Sequence, residues 1–484
     1  MDDQKIPRAL TYDDVLLVPR RSGVRSRRDV CMRVQLTRHI QIATPIISSN
    51  MDTVTEERMA LALASAGGIG IIHRFLTIQA QVKMVEHVKS PHRLIVRDVH
   101  TIRPDRTVTE ARRLMHRHHV TSLLVLDEQR KVLGILTSRD VLPVQDALQP
   151  ISLLMATGDA LITAPADTTY DEAVRLLHQH RVEKLPLVDE EGKLVGLLVM
   201  RDLLDELQHP ESSRDASGRP LVGAAVGVVG DYRERAEALV AAGCDVLVVD
   251  VAHGHTEHTM AAVRTLKQAH SHVDLIAGNV ATGVGTRDLI DAGADGVKVG
   301  VGPGAACTTR IVTGFGMPQF SAVLACAAAA RPLGVPIIAD GGIKAAGDMV
   351  KALAAGADTV MIGGLLAGTD ESPGATIRKG GRTYKAYRGM ASRAAAIDRL
   401  RRERDEEEED FLESLTVVPE GVEATVPYRG AARDVLYQLA GGIRSGMSYC
   451  GAHTIEELRL NAEFVRITDA GVRESNVHDI IPDM

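Results

Sequence analysis

Gly296-Val297-Lys298-Val299-Gly300-Val301 runs straight into Gly302-Pro303-Gly304-Ala305-Ala306-Cys307-Thr308-Thr309-Arg310. A short, mostly apolar strand ends in a glycine-rich turn with a cysteine at its tip. Glycines let backbone approach an anion closely, and N–H groups around a thiol favour the thiolate. Two hydroxyls and an arginine come directly after the cysteine, which a cysteine serving only as core filling does not require. The stretch predicts a strand whose C-terminal end presents a nucleophile beside a phosphate.

Seven further runs of the same kind flank it: Pro45–Ser49, Gly68–His73, Ala224–Val229, Val246–Val251, Leu275–Val280, Pro336–Asp340 and Thr359–Gly363. Helical stretches rich in Ala, Leu and charge lie between most of them, such as Arg233–Ala242 and Arg287–Ala292. Continuous apolar strands alternating with helices imply a parallel sheet covered on both faces. Eight such units fit an α/β fold of the closed (β/α)8, or TIM, barrel type; an open doubly wound sheet is the competing arrangement. The barrel requires polar or glycine residues just past each strand's C-terminal end. They occur at Ser49-Asn50, His73-Arg74, Asp250 with His253, Gly278-Asn279, Gly302–Arg310, Asp340-Gly341-Gly342 and Gly363-Gly364.

Between the second and third strands lies an insertion with an internal repeat offset by 62 positions. Thr107-Val108-Thr109-Glu110-Ala111 matches Thr169-Tyr170-Asp171-Glu172-Ala173, and Gly134–Asp140 matches Gly196–Asp202. Repeats take precedence in assigning a fold. This pair resembles tandem CBS modules, together called a Bateman domain. The resemblance implies a nucleotide such as ATP or GTP bound by Thr137, Ser138, Asp140 and Asp202; a purely structural pair is the alternative. The expected domains are 1–94, first part of a catalytic barrel; 95–207, the CBS pair; and 208–484, the rest of the barrel.

The chain has 484 residues and a formal charge of −7, with no long basic stripe, so nucleic acid is not an expected partner. Five cysteines, at 31, 244, 307, 326 and 450, form no CxxC pair. An odd, sparse count points to a reducing, cytoplasmic setting. The N-terminus lacks a signal peptide's apolar region, and the alanine-rich stretch around Ala322–Ala330 is too short to span a bilayer.

With the cysteine loop, the eight strands and the repeat together, the chain resembles the IMP dehydrogenase/GMP reductase family; Gly441–Tyr449 adds to the likeness. The resemblance implies a cysteine thiolate that adds to purine C2 while a hydride moves between C2 and a nicotinamide. Cys307 takes the place of the nucleophile. Thr309 and Glu371 match the pair that handles protons on a leaving amine. Ser49 falls on the substrate loop, and Asp340 would hold the ribose hydroxyls. Gly342, Gly363, Gly364 and Tyr387 would hold the phosphate, and Met390, Ala391 and Glu420 would read the base. Asp250, Asn279 and Gly302 would face the coenzyme. Carbonyls of Gly302, Gly304 and Cys307 offer a place for a monovalent cation such as K+. A homotetramer or octamer is implied.

Within the family the two branches part after the covalent step. The dehydrogenase hydrolyses the adduct, using an Arg-Tyr pair on a mobile flap; the reductase expels ammonia. The flap here would run over about 392–427. It holds Asp398-Arg399-Leu400, and no Tyr, His or Lys occurs between Tyr387 and Tyr428. Asn50, and Gly389-Met390-Ala391-Ser392 with its single glycine, look like the reductase. Thr55-Glu56, Asp250–His255 and Pro419-Glu420-Gly421 look like the dehydrogenase, and Ala305 departs from both. The missing phenol makes the favoured expectation a GMP reductase of purine salvage that turns GMP and NADPH into IMP and ammonia. The alternative is an IMP dehydrogenase that oxidises IMP to XMP with NAD. A non-enzymatic nucleotide sensor is the reading from a different class.

Overall fold

The computed structural model describes residues 6–90, 95–96, 99–118, 120–200, 203, 211–403 and 418–476. Eight parallel strands close into a ring. They are β1 (Ile46–Ser48), β2 (Ile69–Ile72), β3 (Val222–Val226), β4 (Val246–Asp250), β5 (Asp274–Val280), β6 (Gly296–Val299), β7 (Ile337–Asp340) and β8 (Thr359–Ile362). Each pairs with the next, and β8 returns to β1 with Met361 opposite Ile47. This closed ring excludes the open sheet. All eight expected strands are present; β3 begins earlier than its apolar run suggested, so that Gly227 and Val228 lie beyond its end. The strands read as unbroken apolar runs because helices cover the outside and side chains fill the inside.

The covering helices, in chain order, are α1 (Glu57–Ser65), α2 (Ile78–Lys89), α3 (Tyr232–Ala241), α4 (Glu257–Ala269), α5 (Gly283–Asp291), α6 (Gln319–Ala330), α7 (Ala346–Ala354) and α8 (Ala432–Tyr449). Local chemistry sets their starts. Thr256 accepts from Thr259 N at 3.2 Å and Thr282 from Gly285 N at 3.2 Å, each satisfying a first-turn N–H. Against β2, α1 packs so closely that a Cβ on Gly70 would lie 2.5 Å from Ala60 Cα.

Two compact units divide the chain: Met1–Lys89 with Glu211–Met484, and Ser90–Pro210. In the first, the Lys89 ammonium is buried and bonds Asp215 at 3.1 Å and Asp245 at 2.7 Å. That cation fastens both sides of the insertion point to the barrel. The second unit repeats one motif at the offset seen in the sequence. Val108–His118, Ser122–Leu126 and Val132–Thr137 recur as Tyr170–His180, Lys184–Val188 and Leu194–Val199. Each half has its own apolar core, and Leu124, Leu126 and Leu197 form a third cluster. Among the described residues no helix is long and apolar enough to cross a membrane.

The crowding at Gly70 yields a test. Gly70→Val should lower stability by about 1–3 kcal/mol through overpacking between β2 and α1, read as a lower urea midpoint at unchanged slope.

Candidate active site

The strand ends of the barrel converge on the cysteine loop. At Gly300, with φ of +150°, a Cβ would sit 2.1 Å from the Asp340 carbonyl oxygen, so only glycine lets the chain leave β6 there. The loop then turns back, with Cys307 N donating to Gly304 O at 3.1 Å. Two other segments are laid against it. Thr308 N donates to Glu420 O at 2.9 Å, Val422 N to Ala306 O at 3.0 Å, and Glu420 N to Ala391 O at 3.0 Å. Residues 389–391 and 420–422 are thereby stacked on the cysteine loop.

This stacking creates a chain of polar groups. The Cys307 thiol is 3.2 Å from Thr309 Oγ1, which donates to Glu420 Oε2 at 2.8 Å. The sequence suggests Glu371 as the partner of Thr309 and places Glu420 at the base. The structure pairs Thr309 with Glu420. Glu371 instead accepts the N–H of Ala432 at 2.7 Å, satisfying an open donor in the first turn of α8. Spacing alone gives no means of choosing between two carboxylates 49 residues apart; only the stacking decides it.

The strand that leads to the cysteine loop also carries a charge network, centred on a buried lysine, that the sequence reading missed. Lys298, 2% exposed in the middle of β6, bonds Asp250 Oδ1 at 2.7 Å and Asp340 Oδ2 at 2.8 Å. Asn279 Nδ2 donates to the same Asp340 oxygen at 2.9 Å and to Gly300 O at 2.8 Å. Burial alone would raise the Asp250 carboxyl; the adjacent Lys298 ammonium outweighs that and holds it below the usual carboxylate range. The two carboxylates in turn hold Lys298 above the ordinary lysine value, despite burial. The signal was there to read: a lysine inside an apolar barrel strand demands buried counter-charges.

A small cradle opens beside this network. A Cβ on Gly363 would meet Met51 Sδ and Tyr387 Oη at 3.2 Å each and Ser49 Cβ at 3.5 Å. Gly364 faces the Tyr387 hydroxyl, and Gly342, at φ +76°, faces Pro303 and Gln319. Tyr387 is buried, and burial together with the Asp340 charge pushes its phenol up to about 12, so it stays a neutral donor. Met390 Sδ accepts from Asp52 N at 3.4 Å. Arg388, next to Tyr387, donates from Nε to Asp52 at 3.0 Å and pairs through Nη1 with Asp398 at 2.7 Å.

For a nicotinamide coenzyme the donor set fits. Asp250 pairs with Gly278, the neighbour of Asn279, and Asn279 Oδ1 is a buried acceptor lacking a partner among the described residues. At the expected cation place, Gly304 O accepts one hydrogen bond, from Cys307 N at 3.1 Å, which leaves its second lone pair. In the inserted unit, Thr137 N and Oγ1 both donate to Asp140 Oδ2 at 2.7 Å, capping the turn that Ser138 begins. Asp202 and the charged run Asp405–Asp410 lie outside the described residues, as do the side chains of Arg399 and Leu400.

The family model for the IMP dehydrogenase / GMP reductase domain matches residues 9–478. The chain belongs to that family. Similar curated relatives are the inosine-5'-monophosphate dehydrogenases of Nitrosopumilus maritimus, 50% identical with 98% of each chain covered, and Aquifex aeolicus, 51% identical over 99% of this chain and 97% of that one. Among solved structures, a cysteine-to-alanine variant of GMP reductase from Trypanosoma brucei is 42% identical, with a TM-score of 0.81, over 98% of this chain and 100% of that one. The curated relatives overturn the reductase expectation, because those at about half identity over the full length carry the dehydrogenase name. The missing flap phenol misleads because a phenol is only one means of activating water. A carboxylate, Glu420, stands one hydroxyl away from the thiol.

The capping role of Glu371 is testable. Glu371→Ala should cost about 0.5–2 kcal/mol in denaturant unfolding through the lost helix donor, while turnover stays within about twofold. The network also sets a pH window. Because the folded Asp250 carboxyl is depressed, its stabilisation is present above the unfolded value of about 3.9 and is lost as pH falls further. Asp250→Asn should therefore flatten the acid limb of the Tm profile below about pH 4.

Proposed function

We propose that the chain is an IMP dehydrogenase, oxidising IMP to XMP with NAD in the cytoplasm. The observation that carries the reading is that nearly full-length relatives at about half identity are dehydrogenases, and the run from Cys307 through Thr309 to Glu420 offers the base that hydrolysis needs. IMP lies with its phosphate at Ser49, Gly342, Gly363, Gly364 and Tyr387, its ribose on Asp340, and its base against Met390 and Ala391. The Cys307 thiolate adds to C2 of the hypoxanthine. The coenzyme, held at Asp250, Asn279 and Gly302, supplies the acceptor for the C2 hydride. A thioimidate remains on Cys307. Thr309 then takes a proton from water and passes its own to Glu420; the water oxygen bonds to C2, the C–S bond breaks, and XMP leaves with the thiol restored.

IMP and NAD given to the purified protein should yield XMP and NADH in equal amounts. Absence of XMP, with IMP formed instead from GMP and NADPH, overturns the reading. Cys307→Ala should abolish turnover. Glu420→Gln should slow the steady state by about 10²-fold or more, the usual worth of a general base. It should also leave a stoichiometric burst of NADH as covalent adduct accumulates, seen by mass spectrometry of intact protein.

The unit 90–210 is proposed as a CBS pair that binds ATP or GTP and shifts a homotetramer towards an octamer. Its structural repeat supports this, and a solved Trypanosoma brucei GMP reductase in complex with guanosine 5'-triphosphate is 40% identical to this chain. Calorimetry on protein with Cys307 blocked should show ATP or GTP binding that Asp140→Ala abolishes; no binding overturns the proposal.

A further inference from the structure

We infer that Lys298 is a positioning residue shared by two ribose sites, its one buried ammonium turning Asp250 and Asp340 for the coenzyme and the substrate together. The identity of the two riboses rests on the proposed dehydrogenase reading; the shared cation is geometry. Lys298 projects from the middle of β6 and spans from the end of β4 to the end of β7. At Asp340 both Lys298 and Asn279 converge on Oδ2, which leaves Oδ1 for a hydroxyl donor. One cation between two carboxylates leaves a net negative site, suited to the paired O–H donors of a ribose.

Without the ammonium, two half-buried carboxylates lose the cation they share, and their like charges disfavour holding both ionised. A protonated carboxyl is a poorer acceptor for a diol. The other charged or titratable groups bearing on the pair are Arg74, past the end of β2, which acts on Asp250, and Tyr387, which faces Asp340. Arg74 is a cation on one side only and does not replace Lys298.

Kinetics and calorimetry test this. Lys298→Met should raise KM for both IMP and NAD by about tenfold or more at neutral pH, with kcat changed less than about threefold. The defect should shrink as pH rises towards about 9, while wild-type KM values stay flat. Lys298→Arg should restore both constants to within about threefold, since it keeps the charge. A shift in one KM alone, no shift, or a shift without pH dependence overturns the shared role. If Lys298→Met does not fold, Asp250→Asn carries the test. It gives Lys298 wholly to Asp340 and should change IMP binding by about threefold or more in the absence of coenzyme; unchanged IMP binding overturns the inference. Wild-type protein that makes no XMP overturns the dehydrogenase reading, whereas active wild type with a neutral Lys298→Met overturns this inference alone.

Discussion

Closure of the strand ring is the constraint on which the rest depends. Once β8 pairs with β1, eight strands point one way and their C-terminal ends are held at one end of the barrel. Ser49, Arg74, Asp250, Asn279, the Gly300–Cys307 loop, Asp340 and Gly363 then meet there, although they come from seven different strand ends. The ring also explains how a long insertion is tolerated. Lys89, with Asp215 and Asp245, closes the chain on the barrel side of the break. Loop-closure entropy grows slowly with length, so a long insertion adds little to the cost of closing the chain there.

The architecture was legible because burial on both faces writes itself as unbroken Val, Ile and Ala runs, and the polar exits mark one end. The repeat was legible because identical units keep identical spacing; the helix and the two longer strands of each half coincide at the same offset. The site was legible where chemistry is local, as in Cys307 with Thr309 two residues on. It was not legible where contact is made by folding across distance. Glu371 and Glu420 are both acidic, both past β8, and both plausible by spacing. Which one reaches Thr309 is decided by the stacking of 420–422 on the cysteine loop. Lys298 was overlooked for a different reason: a single charge in an apolar run does not spoil the strand pattern, yet it needs counter-charges that only neighbouring strands provide.

The choice between the two family branches turned on an absence, and absences in sequence are weak evidence about chemistry. Hydrolysis needs a base within reach of the carbon bound to Cys307. It does not need that base to be a phenol on the flap. A mobile segment is only one source of a proton acceptor. On the proposed reading the acceptor is Glu420, whose loop is bonded to the loop bearing Cys307.

The position of Glu420 is itself set outside the barrel. Just after it, Glu423–Pro427 pairs antiparallel with Arg382–Arg388, placing Glu423 opposite Arg388. The strand Arg382–Arg388 is pinned to the barrel by Tyr387 in the cradle at Gly363 and by Arg388 on Asp52. Arg388 also holds Asp398 on the helix Arg393–Glu403, so one guanidinium joins the barrel, the small sheet and the start of the flap. A slip of two residues in that pairing would carry Glu420 by about 7 Å, far outside hydrogen-bond reach of Thr309. The contact between Thr309 and Glu420 therefore depends on register in a sheet that contributes no strand to the ring, and the grip of Arg388 on Asp52 ties that sheet to the barrel.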